Sequence, residues 1–407
     1  MKLRFVLTAA LTALACTTSG VAASAGTGGR GTGDPAGAGP TGSPLSAQVL
    51  AAPVPVLTTD GRRHLVYEIM LVNVTPLPVR VDEVTVRNAA SRAAVATFAG
   101  PAAIRAIMTS VAAPHDGIDE LPASGAGMLW MDVSLARGAR IPARLAHSIE
   151  STVMTPGGPV QAPTNGAATR VGRQRPVVLT PPLSGRGIAD ANGCCGESNH
   201  TRAVQTIDGR RFLAQRFAID WVRIDRKGRD YTGDWRVNKN WLIFGDRVYA
   251  AAPGVVVETL NNLPENTPPH PATGLTLKTA PGNNVIEDIG GGLFALYAHM
   301  QPRSVAVHVG QHIRRGQFLG LAGNTGSSTA PHLHFQVMSA PSALMSNGLP
   351  YVFRQFRLTA EIRNLPEFSR DEHPLPAELG PARPPRTRHD ELPMQADVTT
   401  FRVPAPH

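Results

Sequence analysis

The run Gly323-Asn-Thr-Gly-Ser-Ser-Thr-Ala-Pro-His-Leu-His-Phe-Gln-Val337 constrains this chain more than any other segment. A glycine-rich reversal ends there in two histidines, His332 and His334, that lead straight into the apolar pattern of a β-strand. Side chains at i and i+2 share one face of a strand, about 6–7 Å apart at a rise of about 3.3 Å per residue. That spacing suits one imidazole on a metal ion and the other beside a bound substrate. It also suits the polar face of an ordinary strand. In a chain of 13 histidines the pair needs company before it means chemistry.

The surrounding texture is β throughout. Val66–Val74, Val79–Val86 and Met128–Val133 alternate partly, are rich in β-branched residues and are separated by Gly, Pro and Asn turns. They predict a β-sandwich-like domain over residues 49–170. His64, His115 and His147 are scattered through it and read as ordinary surface or hydrogen-bonded histidines. A proline-rich connector follows at 171–190, and short strands resume over 191–353 among the turn glycines Gly310, Gly316, Gly320, Gly323 and Gly326. These glycines do not open a helix, which argues against a phosphate-binding loop. Residues 354–407 are rich in Pro, Arg and acids and read as an extended C-terminal segment, closed by a short strand near Ala396–Arg402.

At the other end, Lys2 and Arg4 precede the apolar stretch Phe5 to Ala15, and Val21, Ala22 and Ala23 offer a cleavage site. Residues 1–23 are therefore expected to be an export signal and 24–48, built of Gly, Ala, Ser and Pro, a flexible linker. Cys16 makes lipid anchoring a minor alternative to a secreted or periplasmic, cell-envelope location. No later stretch has 18 consecutive apolar residues, so no spanning helix is expected beyond the signal. The formal charge of +9 drops by two when Lys2 and Arg4 leave, and the remaining excess suits an anionic envelope polymer. Without a dense Lys/Arg run interleaved with aromatics, nucleic acid is not an expected partner. Cys194 and Cys195 are adjacent and can close a vicinal disulfide or stay as thiols; a four-cysteine metal site is excluded.

The company that His332 and His334 need consists of Asp220, His299 and His200. Asp220 interrupts the apolar strand pattern Phe217-Ala-Ile-Asp-Trp-Val222, where a carboxylate must be paired, hydrogen-bonded or metal-bound; Arg216 and Arg223 are available partners. His299 lies two residues after Tyr297, itself a weaker candidate for substrate contact. Asn324 reads as a turn residue with left-handed backbone.

Leu296-Tyr-Ala-His299, Val309-Gly-Gln-His-Ile-Arg-Arg-Gly-Gln-Phe-Leu-Gly320 and the His332–His334 segment occur in this order. Together they closely resemble the lysostaphin-like zinc endopeptidases, which cut the peptide part of bacterial peptidoglycan. The resemblance covers about residues 200–353 and is most distinctive over 245–340. It implies a β-rich peptidase domain there, which with the sandwich-like domain read from the alternation makes the chain mostly β. It further implies an exported Zn2+-dependent endopeptidase acting on peptidoglycan peptides, with Asp220 and His334 on zinc and His299 and His332 in catalytic roles. One position departs. The family places a ligand histidine four residues before this Asp, where the chain has Arg216, whose guanidinium has no lone pair to give. Three outcomes stay open: His200 supplies the missing imidazole, His270 or His308 does, or the site is degenerate and the chain binds peptidoglycan or regulates another hydrolase without cutting. For the first, His200 and Asp220 are expected on neighbouring strands joined by a turn at Asp208-Gly209.

Overall fold

The computed structural model describes residues 42–382 and 386–403. The expected signal, Cys16 and most of the linker lie outside the described residues. The chain is predominantly β, as expected, and its strands fall into several sheets. In the N-terminal part a five-stranded and a six-stranded sheet, each antiparallel, share one core. Tyr67, Ile69 and Leu129 of the first sheet pack there against Val79, Val84 and Ile149 of the second. The linker ends earlier than expected, because Leu45–Val49 is a strand paired with Arg63–Asn73. Leu45 is buried there, and one large apolar anchor was enough to recruit the segment.

The second part is built on a twelve-stranded antiparallel sheet. At its centre three neighbours run in the order Leu293–Met300, Leu333–Met338, Ile219–Arg223. Alternation divides them cleanly. Ile219, Trp221, Tyr297, Leu333, Phe335 and Val337 point into the main core, all fully buried. Asp220 and His334 stand opposite each other in register and therefore share the other face.

The C-terminal segment is not a peripheral extension. Asp397–Phe401 is inserted in the sheet between Gly185–Asp190 and Phe356–Ile362, and Phe401 packs edge-on to Trp221 with ring centroids 5.1 Å apart. The connector likewise contributes Gly185–Asp190 to the sheet, next to the Asp220 strand. Composition masked the connector strand, since short strands flanked by Pro and Arg carry little periodicity, whereas the C-terminal strand was expected and only its place inside the sheet was not. The sandwich and the large sheet belong to one compact unit. A buried ion pair joins them, Arg216 Nη1 to Glu68 Oε2 at 3.0 Å, with Glu68 on the strand Arg63–Asn73.

Candidate metal centre

Asp220 and His334 are held by the ladder just described, so their approach is a consequence of register. His334 Nδ1 lies 2.9 Å from Asp220 Oδ1. On the far side of His334, its Nε2–H donates to Gln336 Oε1 at 2.9 Å, which leaves Nδ1 as the nitrogen facing Asp220. His200 completes the group from a loop rather than from a strand. Its Nδ1–H donates to the Ala218 carbonyl (3.2 Å) and its Nε2 lies 3.2 Å from Asp220 Oδ2. The expected Asp208-Gly209 turn exists and closes the hairpin Gln205–Ile207/Arg210–Phe212, but His200 precedes that hairpin instead of lying in it.

His299 reaches the same face by a backbone device. A regular strand would put it beside Tyr297, on the core side. Its φ of 63° and a register shift opposite Asn283–Val285 turn it over, next to His334, with ring centroids 5.8 Å apart. His332 stands 4.7 Å from His299 between ring centroids, and its Nε2 is 3.3 Å from Asp220 Oδ1. Both rings have Nδ1 committed to a carbonyl, His299 to Thr325 at 2.7 Å and His332 to Ala330 at 2.8 Å. Tyr297, by contrast, is fully buried and bonds Glu287 and the Ala251 N–H. It is a core residue and touches no cleft. Asn324 does not adopt the left-handed backbone expected of it; Gly326 does, with φ 74°. Asn324 is instead a buried node that accepts from Ser328 Oγ, which also lies 3.3 Å from His332 Nδ1.

Among the described residues, His200/Asp220/His334 and His299/His332/His334 each lie close enough to share one metal ion, and they meet at His334. A third group, His64/Asp132/Cys195, is accounted for otherwise: Cys195 is in a disulfide with Cys194, and both nitrogens of His64 face carboxylates. His270 and His308 are exposed and join no such group. Arg216, at the departing position, spends its guanidinium on Glu68.

The electrostatics fit a cation. Burial opposes ionisation of Asp220, but the charges of His200 and His332 outweigh it and hold the carboxyl well below its usual range. Burial, reinforced by His332 and His334, keeps His299 well below the ordinary imidazole value. Burial also lowers His334, with the Asp220 hydrogen bond opposing. His332 is raised: burial works against its charge, and Asp220 prevails. With their other nitrogens facing acceptors, His200 and His334 each turn one ring nitrogen toward the Asp220 carboxylate, an arrangement that a cation placed among the three would join.

A cleft of about 430 Å³ opens on one side of the centre, bounded by Asp220, His332, Trp241 and Asp230 and by His115 and Pro366 from the sandwich and the C-terminal segment. A second cavity of about 190 Å³ lies on the other side, against His299, His334 and Gln336. His115, read from sequence as an incidental surface residue, therefore sits at the cleft. Gln336 was missed as well, although its i+2 spacing from His334 places it on the same face.

A mixed carboxylate–imidazole group on a sheet face, with two further imidazoles beside it and a cleft alongside, is a group that could hold a metal ion. Comparisons with known proteins match part of the chain. Residues 242–346 match the family model of peptidase family M23. The chain carries an M23 peptidase domain, related to the lysostaphin-type zinc metallopeptidases. It is 35% identical over 108 residues to the peptidoglycan DD-endopeptidase ShyA of Vibrio cholerae, a match over 26% of this chain and 21% of that protein. Lysostaphin of Staphylococcus simulans is 50% identical over 42 residues, 10% of this chain and 8% of that one. The chain thus spans about a fifth or less of the curated relatives it matches. Among solved structures, the catalytic domain of lysostaphin from Staphylococcus simulans is 22% identical and covers 42% of this chain and 88% of that one, at a TM-score of 0.22. A zinc containing peptidase from Vibrio cholerae is 16% identical and covers 69% and 80%, at a TM-score of 0.20. His299, His332 and His334 lie inside the family match; His200 and Asp220 lie before it.

Proposed function

We propose that this chain is an exported, zinc-dependent endopeptidase that hydrolyses peptide cross-links of bacterial peptidoglycan. The observation that carries the reading is the convergence of His200, Asp220 and His334, with the outer nitrogens of both histidines tied, beside His299 and His332, whose Nδ1 atoms are tied to backbone carbonyls. His200 Nε2, the Asp220 carboxylate and His334 Nδ1 would hold the ion, and three protein ligands are what a catalytic zinc site keeps when one position must stay open. Zinc bound there supplies Lewis acidity toward a peptide carbonyl and makes water more acidic. The chain's own work is proton handling and orientation. Because Nδ1 of both His299 and His332 donates to a backbone carbonyl, proton traffic passes through their Nε2 atoms, one accepting from water and the other meeting charge on the carbonyl oxygen. No glutamate base on a helix is needed. The cleft and the cavity flanking the centre give an extended peptide a path across it. The relatives' printed activities, a peptidoglycan endopeptidase and lysostaphin, support the substrate class.

The test is zinc content together with release of new amino groups from purified cell walls. One zinc per chain with hydrolysis is expected, and His332→Ala should keep zinc while losing about 10²-fold or more in turnover. A chain that binds walls without cutting them, unchanged by chelator, would replace the enzyme with a binding module. Undiminished turnover in the variant would remove His332 from the chemistry.

A further inference from the structure

His200 differs from the other ligand candidates in how it is held. Asp220 and His334 are pinned by the ladder, whereas His200 sits in the loop between the Cys194–Cys195 disulfide and the hairpin that starts at Gln205. Inside that loop Thr201 Oγ1 donates to the Gly196 carbonyl (2.8 Å) and accepts the Ser198 N–H (2.9 Å). These bonds shape the loop without setting where it stands over the sheet. The imidazole itself meets the sheet at two points, the Ala218 carbonyl just before the strand and Asp220 Oδ2 on it.

The missing constraint comes from the sandwich. Arg202, two residues after His200, is 3% exposed. Its Nη2 donates to the Ala106 carbonyl at 2.8 Å, and its Nη1 pairs with Glu197 Oε1 at 2.7 Å. Ala106 lies in the last turn of the sandwich helix Pro101–Ile107, where carbonyls lack helical partners and a cation is favoured. Glu197 is itself mostly exposed, so water screens that pair, and the part-buried Ala106 bond is the one that reaches the sandwich. A buried guanidinium is costly to keep; burial pulls it below its usual pKa against the pull of Glu197, and its Nε has no partner. The other half of the His200 socket is tied to the same domain. Arg216 lies two residues before Ala218 and forms the buried pair with Glu68.

We propose that Arg202 is a positioning residue for His200, through which the N-terminal sandwich holds the third metal ligand in place over Asp220 and His334. This rests on His200 being a ligand. It gives the sandwich a role in metal affinity. With an imidazole on the sheet strand, register alone would set the ligand; with the imidazole on a loop, a second domain has to.

The experiment measures zinc affinity of the full chain by competition with a chromophoric chelator, in Arg202→Met, Arg202→Lys, His200→Ala and the Arg202→Met/His200→Ala pair. Loss of an outer partner of a ligand weakens metal binding by about 10–100-fold. Arg202→Met should fall in that range, Arg202→Lys should recover part of it because an ammonium can still reach one carbonyl, and Arg202→Met should cost nothing further once His200 is gone. Equal losses with and without His200, or no loss at all, would overturn the proposal. If His200→Ala alone leaves affinity unchanged, the ligand set itself fails, a result separate from any behaviour of Arg202. Should Arg202→Met not fold, the visible spectrum of the cobalt-loaded Arg202→Lys variant decides: a band shift toward that of His200→Ala supports the positioning role, and a parental spectrum with parental affinity refutes it.

Discussion

The Glu68–Arg216 pair offers the sharpest physical test of how the two parts of the chain are joined. The charged atoms are 3.0 Å apart, and the side chains are 2% and 6% exposed. At an effective dielectric constant near 20 their attraction is about 5 kcal/mol. Desolvation of both ions offsets most of that, so the intact pair is worth little against an apolar pair of similar volume. Breaking it from one side is different. Glu68→Gln leaves a guanidinium that cannot shed its proton, and should cost about 3–5 kcal/mol. Arg216→Met leaves a carboxyl that can take up a proton, and burial already raises Glu68 against the opposing charge of Arg216. That variant should therefore be less damaging at pH 5 than at pH 8, and Glu68→Met/Arg216→Met should lie near the parent at both. Urea unfolding followed by tryptophan fluorescence reads the effect, with Trp130 in the sandwich and Trp221 beneath the centre as reporters. A Glu68→Gln variant within 1 kcal/mol of the parent, or a double variant as unstable as the single, would refute the reasoning.

Two further outcomes are expected. Zinc added to chelated protein should raise the melting temperature, by about 2.7 kcal/mol of stabilisation at a hundredfold excess over Kd, and His334→Ala should abolish the rise; an equal rise in the variant would place the ion elsewhere. Asp397, buried between strands, has its carboxyl pushed up to about 7 by burial, with the Thr59 hydrogen bond opposing. Unfolded, it loses its proton near pH 3.8; folded, it keeps it to about 7, so the folded state binds the extra proton in that window and stability falls as pH rises through it. Asp397→Asn should leave stability nearly unchanged at pH 4 and raise it at pH 8 by up to about 4 kcal/mol; an unchanged pH profile in calorimetry would contradict this.

Much of the centre could be read before any coordinates. The alternation around Asp220 and His334 places each on a strand with apolar neighbours on the opposite face, and an antiparallel ladder needs only the correct register to bring them together. The same period-two logic failed at His299, because a left-handed residue and an added residue in the strand reverse which face the side chain takes. It also misjudged Tyr297, whose hydroxyl is consumed by Glu287 and Ala251 inside the core. The C-terminal strand Asp397–Phe401 was legible as a strand and illegible as a central member of the sheet, since its partners lie far away along the chain.

By itself, then, the sequence determined what repeats locally: a β-rich chain, the strand phase that sets His334 and Asp220 on one face, and the family motifs around His299 and His332. Tertiary structure decided where His200 stands. His200 lies in a loop without period, and its place depends on the Ala218 carbonyl, on Arg202 reaching a sandwich helix 96 residues earlier and on Arg216 meeting Glu68 across 148 residues. Contacts at such separations follow from the packing of one domain on another, and no local pattern encodes them.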